Sequence, residues 1–298
     1  MEGKIVKAVS EFYYVKTKNN TYACKARGKF KNEDIKPLVG DDVVFQVLDF
    51  DRREGVIDEI KPRRNFLIRP AVANVDQAMV MFAVRNPTPN LSILDRFLVL
   101  MKKQNIPTII VFNKKDLAKL DDEKNLKKIY EKSGCKVFFI SAGAERRHLF
   151  WLKNALRGKI TVMAGPSGVG KSTLLNNLTK DAFDDDPDQA VIGDLSARTN
   201  RGKHTTRHNQ LYDLGQGFKI VDTPGFTSLL VNENDYTRDN LKEAFPEFAP
   251  YESQCPFKDC KHIKERDCAV RKAVDEGKIP TSRYNSYRSI FEDLRPSK

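Results

Sequence analysis

Residues 165–173 read GPSGVGKST, between the apolar stretch KITVMA and a segment of helical character that begins at Lys171. Glycines, a lysine and hydroxyls at this spacing are what a chain needs to wrap a polyphosphate. Gly165, Gly168 and Gly170 allow turns that aim backbone N–H groups at the β-phosphate, with Pro166, Ser167, Val169 and Thr173 completing the loop. The helix N-terminus adds a partial positive charge. Lys171 is expected to reach the β- and γ-phosphates, and Ser172 to ligate Mg²⁺ through its hydroxyl. The competing reading, a plain glycine-rich turn, is disfavoured by the flanking strand and helix.

A phosphate loop alone does not separate adenine from guanine nucleotides. The run NKKD (Asn113, Lys114, Lys115 and Asp116) does so, because it follows the strand-like PTIIVF. A carboxylate at Asp116 can accept from both the N1–H and N2–H₂ donors of guanine, a pair that adenine lacks. Asn113 is expected to hold the loop, and Lys114 to lay its stem over the base. Ser141 and Ala142, directly after KVFFI, supply a backbone donor for guanine O6. DTPG at 222–225 follows FKIV, so Asp222 is expected to bind Mg²⁺ through water and the Gly225 N–H to sense the γ-phosphate. Between phosphate loop and DTPG runs a polar stretch, about 180–209, that ends in RGKHTTRH. A structureless run of such length in a compact domain is usually functional or mobile. Thr205 or Thr206 could complete the Mg²⁺ coordination there, Thr206 being the preferred of the two.

The order of these motifs is permuted. Ordinary small GTPases run phosphate loop, switch threonine, DxxG, NKxD and SA, whereas here NKKD and SAG precede GPSGVGKST, HTT and DTPG. The permutation leaves the pocket intact and leads the chain after DTPG straight into the C-terminal segment. Phe226 follows DTPG where many GTPases carry a water-orienting glutamine, so unaided hydrolysis is expected to be slow. His204 is the candidate to replace it, since an imidazole exchanges protons near neutral pH. On residue type alone, a solvated or RNA-contacting histidine is an equal alternative.

Cys255, Cys260, His262 and Cys268 make the pattern C-x₄-C-x-H-x₅-C. Three thiolates and an imidazole are a complete tetrahedral Zn²⁺ set with no position open for catalysis, so such a site is structural. The spacing is not a common zinc-finger pattern, and incidental clustering is the alternative. Lysines at 258, 261 and 264 suggest a face turned to nucleic acid. Metal removal is expected to unfold this segment and leave nucleotide binding largely intact, because the nucleotide domain has its own core. Cys24 and Cys135, isolated in strand-like segments, read as small buried hydrophobes.

Elements able to position these motifs can be read from pattern. The first 64 residues carry five short strands (KIVKAV, FYYV, TYACKA, DDVVFQVLD and EGVIDEI), which suit an oligonucleotide-binding (OB) barrel, though a small sandwich or SH3-like barrel would read alike. Tyr22 and Phe30 among Lys25, Arg27, Lys29 and Lys31 could form a basic face with stacking rings; a solvated strand face is the commoner outcome. From about residue 70, apolar strands alternate with amphipathic helices, including one carrying Leu91, Leu94, Phe97, Leu98 and Met101 and a charged one near 123–132. That alternation implies a mainly parallel sheet. YDLGQGFKIVD reads as a hairpin closing one sheet edge. The resulting expectation is a multi-domain chain: an all-β OB-like barrel over 1–64, an α/β P-loop domain over 65–228, and a helical zinc-binding domain over 229–298.

Lys and Arg number 52 against 40 Asp and Glu, a formal charge of +12. A polyanionic partner follows, with a merely soluble basic protein at even odds. No apolar run suits a signal peptide or a membrane span, so a cytoplasmic protein without membrane contact is expected; a monomer is expected as well.

Barrel, NKKD, SAG, GPSGVGKST, GKHTTR, DTPGF and the cysteine pattern, in that order, span nearly the whole chain. Together they resemble the circularly permuted, ribosome-small-subunit-dependent GTPase A family, the RsgA/YjeQ type of ribosome-biogenesis GTPase. The resemblance implies GTP and GDP binding, late maturation of the small ribosomal subunit, contact with its rRNA, and hydrolysis stimulated by that subunit. It also implies that His204 is the catalytic histidine. Two other readings remain: a permuted GTPase serving the large subunit, and a nucleotide-gated RNA-binding scaffold with negligible turnover.

Overall fold

The computed structural model describes residues 1–32, 35–68, 71–143, 149–183, 210–214, 217–222, 231–232 and 234–295, with backbone alone at 31–32 and 179–183. In chain order the strands are β1 (Glu2–Val9), β2 (Phe12–Lys16), β3 (Thr21–Ala26), β4 (Asp42–Asp49), β5 (Glu54–Ile60), β6 (Phe66–Leu67), β7 (Val72–Ala73), β8 (Gln77–Ala83), β9 (Thr108–Asn113), β10 (Lys136–Phe139), β11 (Ile160–Ala164), β12 (Gln210–Asp213) and β13 (Lys219–Asp222). The helices used below are α1 (Lys29–Asn32), α2 (Leu91–Lys103), α3 (Asp122–Tyr130), α4 (Phe150–Leu156) and α5 (Lys171–Phe183). Two compact units result: Met1–Gln77 with Leu149–Ala164 and Ser172–Gly225, and Ala78–His148 with Gly165–Lys171 and Phe226–Lys298.

In the first unit, apolar alternation builds the barrel. Tyr13 and Val15 of β2 and Tyr22 and Cys24 of β3 point inward while their neighbours face out. β1–β2, β2–β3 and β4–β5 pair antiparallel and β3–β5 in parallel, and β1 returns to β4 through Glu2↔Val44, Gly3↔Val43 and Lys4↔Asp42. The hydrogen-bond cycle is therefore closed, which separates a barrel of OB type from an open sandwich. Ile5, Val15, Cys24, Val43 and Ile57 fill its interior with no exposed surface. Each large apolar side chain so buried contributes about 1.5–3 kcal/mol. Cys24 behaves as one of them, burial pushing its thiol up to about 11. The possible stacking face of Tyr22 and Phe30 takes a different form: both rings are buried, at 4% and 6% exposure, Tyr22 sharing the inward face with Cys24. The outward rings are Phe12 and half-buried Tyr14, with the Lys25 and Lys7 ammonium groups 5.1 and 5.2 Å from their centroids.

The rest of this unit is tied to the barrel. Gly40, at φ +96°, admits the Ala73 carbonyl to within 2.1 Å of where a Cβ would lie. Arg63 forks onto the fully buried Asp41 at 2.7 and 2.8 Å. β11 and β13 are parallel and β12 is antiparallel to β13. The β12–β13 hairpin does not close an edge, since β12 pairs with β1 at Lys7↔Gln210 and so continues into the barrel.

The second unit holds the parallel strands β10, β9 and β8 in that order. Every residue of β8 is buried, as a strand covered on both faces requires. α2 is capped by Asn90, whose side chain accepts from the Ile93 N–H at 3.2 Å, and buries Leu94, Phe97, Leu98 and Met101. Cys135 lies in the turn before β10 rather than in a strand, half-buried. The C-terminal segment is made of short pieces: one-turn elements at Leu241–Ala244, Pro246–Phe248 and Ala249–Glu252, then helices Ala269–Asp275 and Thr281–Asp293. Phe245, Phe248 and Tyr287 pack ring on ring at 5.1–5.4 Å. Beside them Arg283, 1% exposed, bonds Asp95 and Glu247. Among the described residues no helix is long and apolar enough to cross a membrane.

Candidate nucleotide and metal sites

β9 is an almost wholly buried strand that delivers Asn113 at 3% exposure. The Asn113 amide joins three loops: its Oδ1 accepts from the Ala142 N–H at 2.7 Å, and its Nδ2 donates to the Val169 carbonyl at 2.8 Å. The NKKD turn, the Ser141–Ala142 turn and the phosphate loop thus share one side chain. Glycine at 170 is required by this arrangement, since a Cβ there would lie 2.3 Å from the Asn113 Nδ2. Gly165 is equally constrained, its missing Cβ falling 2.2 Å from the Met81 carbonyl oxygen. Gly168 has φ +77°.

Around that centre, the Asp116 N–H donates to the Ser141 Oγ at 3.1 Å and the Lys115 N–H to the Ile140 carbonyl at 3.0 Å. Lys114 takes the left-handed conformation (φ +59°) and its ammonium meets the Asn86 carbonyl. Asp116 is exposed. Lys115 bonds Glu123 at 3.0 Å, so it serves the turn's own surface. In the phosphate loop the Lys171 ammonium donates to the Gly165 and Pro166 carbonyls at 2.8 and 2.7 Å. Those bonds hold the cation over the loop, while Pro166 is half-buried, Ser167 exposed and Val169 buried.

The remaining sequence-derived positions divide. Ser172 and Thr173 are exposed in the first turn of α5. Asp222 ends β13, opposite Met163 of β11 and Gln210 of β12. His204, Thr205, Thr206, Gly225 and Phe226 lie outside the described residues.

The cysteine pattern closes into a cluster. The ligand atoms of Cys255, Cys260, His262 and Cys268 all lie within 4.8 Å of one another. His262 Nδ1 is 3.3 Å from Cys268 Sγ and 3.6 Å from Cys255 Sγ, and the two sulfurs are 3.9 Å apart. Sulfurs at about 2.3 Å from a tetrahedral Zn²⁺ stand about 3.8 Å from each other, so the set fits such an ion. Burial pushes the Cys260 thiol up to about 12 and lowers His262 to about 4. A neutral imidazole is thereby ready as a ligand, and the Cys260 thiol needs a cation to give up its proton.

Spacing did not reveal what shapes this loop. The Glu265 carboxylate accepts from the N–H groups of Lys261, Ile263 and Lys264 at 2.8, 2.8 and 3.0 Å. Burial alone would raise that carboxyl, but the backbone donors hold it below its ordinary value. Tyr284 and Tyr287 donate their hydroxyls to the carbonyls of His262 and Lys261 at 2.7 and 2.6 Å. His262 sits at φ +58°, and its Nε2 faces Glu252 at 4.0 Å. A glutamate three residues beyond His262, and tyrosines at i and i+3 of a later helix, carry no distinctive sequence signal.

Comparison with known proteins agrees with this geometry. The family profile described as RsgA GTPase matches residues 60–232, and the RsgA N-terminal domain profile matches residues 2–57. A protein of Agathobacter rectalis named small ribosomal subunit biogenesis GTPase RsgA is 43% identical over 306 residues, covering 99% of this chain and 98% of its own. A Clostridium perfringens protein of the same name is 46% identical over 294 residues, with the same coverage. Among solved structures, YjeQ from Thermotoga maritima is 36% identical with a TM-score of 0.75, covering 98% of this chain and 97% of its own. The circularly permuted GTPase YloQ is 34% identical with a TM-score of 0.73, covering 100% of this chain and 96% of its own. The chain belongs to the RsgA GTPase family.

Proposed function

We propose that this GTPase acts in maturation of the small ribosomal subunit, binding rRNA and hydrolysing GTP to GDP and phosphate with stimulation by the subunit. The observation that carries the nucleotide half is Asn113, whose one amide ties the base-reading turn, the Ser141–Ala142 turn and the phosphate loop together. In this reading Asp116 pairs with the guanine edge, Lys114 covers the ring, and Ala142 faces O6. Residues Gly165–Thr173 cradle the phosphates, and Mg²⁺ is held by Ser172, Asp222 and Thr206. His204 orients the attacking water, because Phe226 offers no polar group. Zn²⁺ is the resident of the Cys₃His cluster, where its chemistry is structural. The functional segments are a barrel over 1–64, a permuted G domain over 65–228 and a zinc-binding domain over 229–298.

RNA contact is supported by the net charge of +12 and by the barrel's outward strip of Lys7 with Tyr14 and Lys25 with Phe12, where cations and rings alternate. The names carried by the relatives point to the small subunit as the source of that RNA. A cytoplasmic monomer suits such a role. The test is steady-state GTP turnover across a titration of purified small subunits. Turnover should rise steeply with subunit, and His204→Ala should lose about 10²–10⁴-fold of the stimulated rate at unchanged GTP affinity. If excess subunit restores the full rate to that variant, His204 is a docking residue. If subunits leave wild-type turnover flat, the assignment of partner fails.

A further inference from the structure

The helix Thr281–Asp293 contacts two parts of the second compact unit, the Cys₃His loop and α2. On one side its Tyr284 and Tyr287 hydroxyls hold the carbonyls of His262 and Lys261, so the helix grips the backbone around a metal ligand. On the other side Arg283, 1% exposed, donates to Glu247 at 2.6 and 3.3 Å and to Asp95 of α2 at 2.6 Å. Its guanidinium lies 5.7 Å from the Tyr130 ring and 4.8 Å from the Phe245 ring.

Tyr130 carries the connection onward. It is the last residue of α3, fully buried, and its hydroxyl donates to the same Asp95 oxygen at 3.0 Å. Its ring packs 5.9 Å from Phe112, the residue before Asn113. The NKKD turn is therefore bracketed: upstream Phe112 rests on Tyr130, and downstream the chain leads through α3 to Tyr130 itself. Buried ionic groups of this kind do not slide, because any displacement leaves a charge without a partner.

We propose that occupancy of the Cys₃His cluster and affinity for guanine nucleotide are thermodynamically linked, with Arg283 as the positioning residue that joins them. An ordered metal loop holds the helix, the helix sets Arg283, and Arg283 with Asp95 fixes Tyr130 beneath the base-reading turn. This departs from the expectation that metal removal leaves nucleotide binding intact. It rests on the guanine and zinc assignments above. Linkage is reciprocal, so nucleotide must strengthen metal binding by the factor by which metal strengthens nucleotide binding.

The experiment uses the full chain. GDP affinity is measured with a fluorescent GDP analogue on zinc-loaded and zinc-stripped protein, and zinc affinity by equilibrium competition with a chromophoric chelator, with and without saturating GDP. We expect both affinities to change by about fivefold or more, and by the same factor. Arg283→Lys keeps the charge and loses the planar fork, and should reduce that factor. Should it fail to fold, the double variant Tyr284→Phe, Tyr287→Phe serves instead: the ligands and the ion network stay, and the factor should fall below about twofold with one zinc still bound. The proposal is overturned if the wild-type GDP affinity is the same with and without zinc and zinc affinity ignores GDP. It is also overturned if both variants keep the full factor. Protein that binds zinc but no GDP in either state would instead bring down the guanine assignment, and the linkage with it.

Discussion

The barrel and the C-terminal segment are similar in size but held together by different means. The barrel closes a cycle of strand pairs around an apolar interior, with one buried ion pair, Asp41–Arg63, at its junction with the following chain. Among the described residues the C-terminal segment has no sheet, and its helical pieces run from a single turn to the 13 residues of Thr281–Asp293. Its centre is a set of packed rings, a buried arginine between two carboxylates, and the Cys₃His cluster. Apolar packing is distributed, so losing one methylene costs little; polar centres are concentrated, and losing one member strands its partners. The barrel should therefore tolerate single changes that the C-terminal segment does not.

Metal removal tests this most severely. Structural zinc sites carry on the order of 10 kcal/mol of folding free energy, so chelation should abolish amide-exchange protection across 255–268 and leave β1–β5 protected. Protection that survives stripping would mean the ring cluster suffices by itself. Next comes Glu247→Leu, which leaves part of the Arg283 guanidinium buried without its partner and should cost about 3–5 kcal/mol in urea unfolding. A loss under about 1 kcal/mol would show that water reaches the group and that the contrast is overdrawn.

Smaller effects are expected in the barrel. Ile57→Val removes one methylene from a fully buried site and should cost about 0.5–1.5 kcal/mol, with an unchanged denaturant slope. Lys25→Ala, on the outward strip, should leave stability within about 0.5 kcal/mol. Its effect should appear in RNA binding, as a salt-dependence slope lowered by about one unit. An unchanged slope would remove this strip from the RNA-contacting surface.

Much of the fold is legible in the sequence. FYYV and TYACKA read as strands and are strands, and the helical spacing of Leu91, Leu94, Phe97, Leu98 and Met101 marks α2, which buries all of these but Leu91. Residue type does not say which rings face out: Tyr22, a possible member of a basic stacking face, is in the core, while Phe12 takes the exposed place beside Lys25. Period identifies two faces of a strand without naming the inner one. The β12–β13 hairpin was likewise visible, but not its continuation into β1.

By itself the sequence determined the motifs and their permuted order, the strand character of the N-terminal stretch, and the four positions of the Cys₃His pattern, because each is read from residue types at short spacing. Tertiary structure alone decided that the barrel closes, that Asn113 joins three loops, and that Arg283 meets Asp95 across 188 residues. Glu265 and the two tyrosines that shape the metal loop belong with these. The physical reason is that a periodic pattern records how much of a face is buried and by what residue types, whereas the partner across a distant contact is chosen by packing and by the need of every buried polar group to be satisfied.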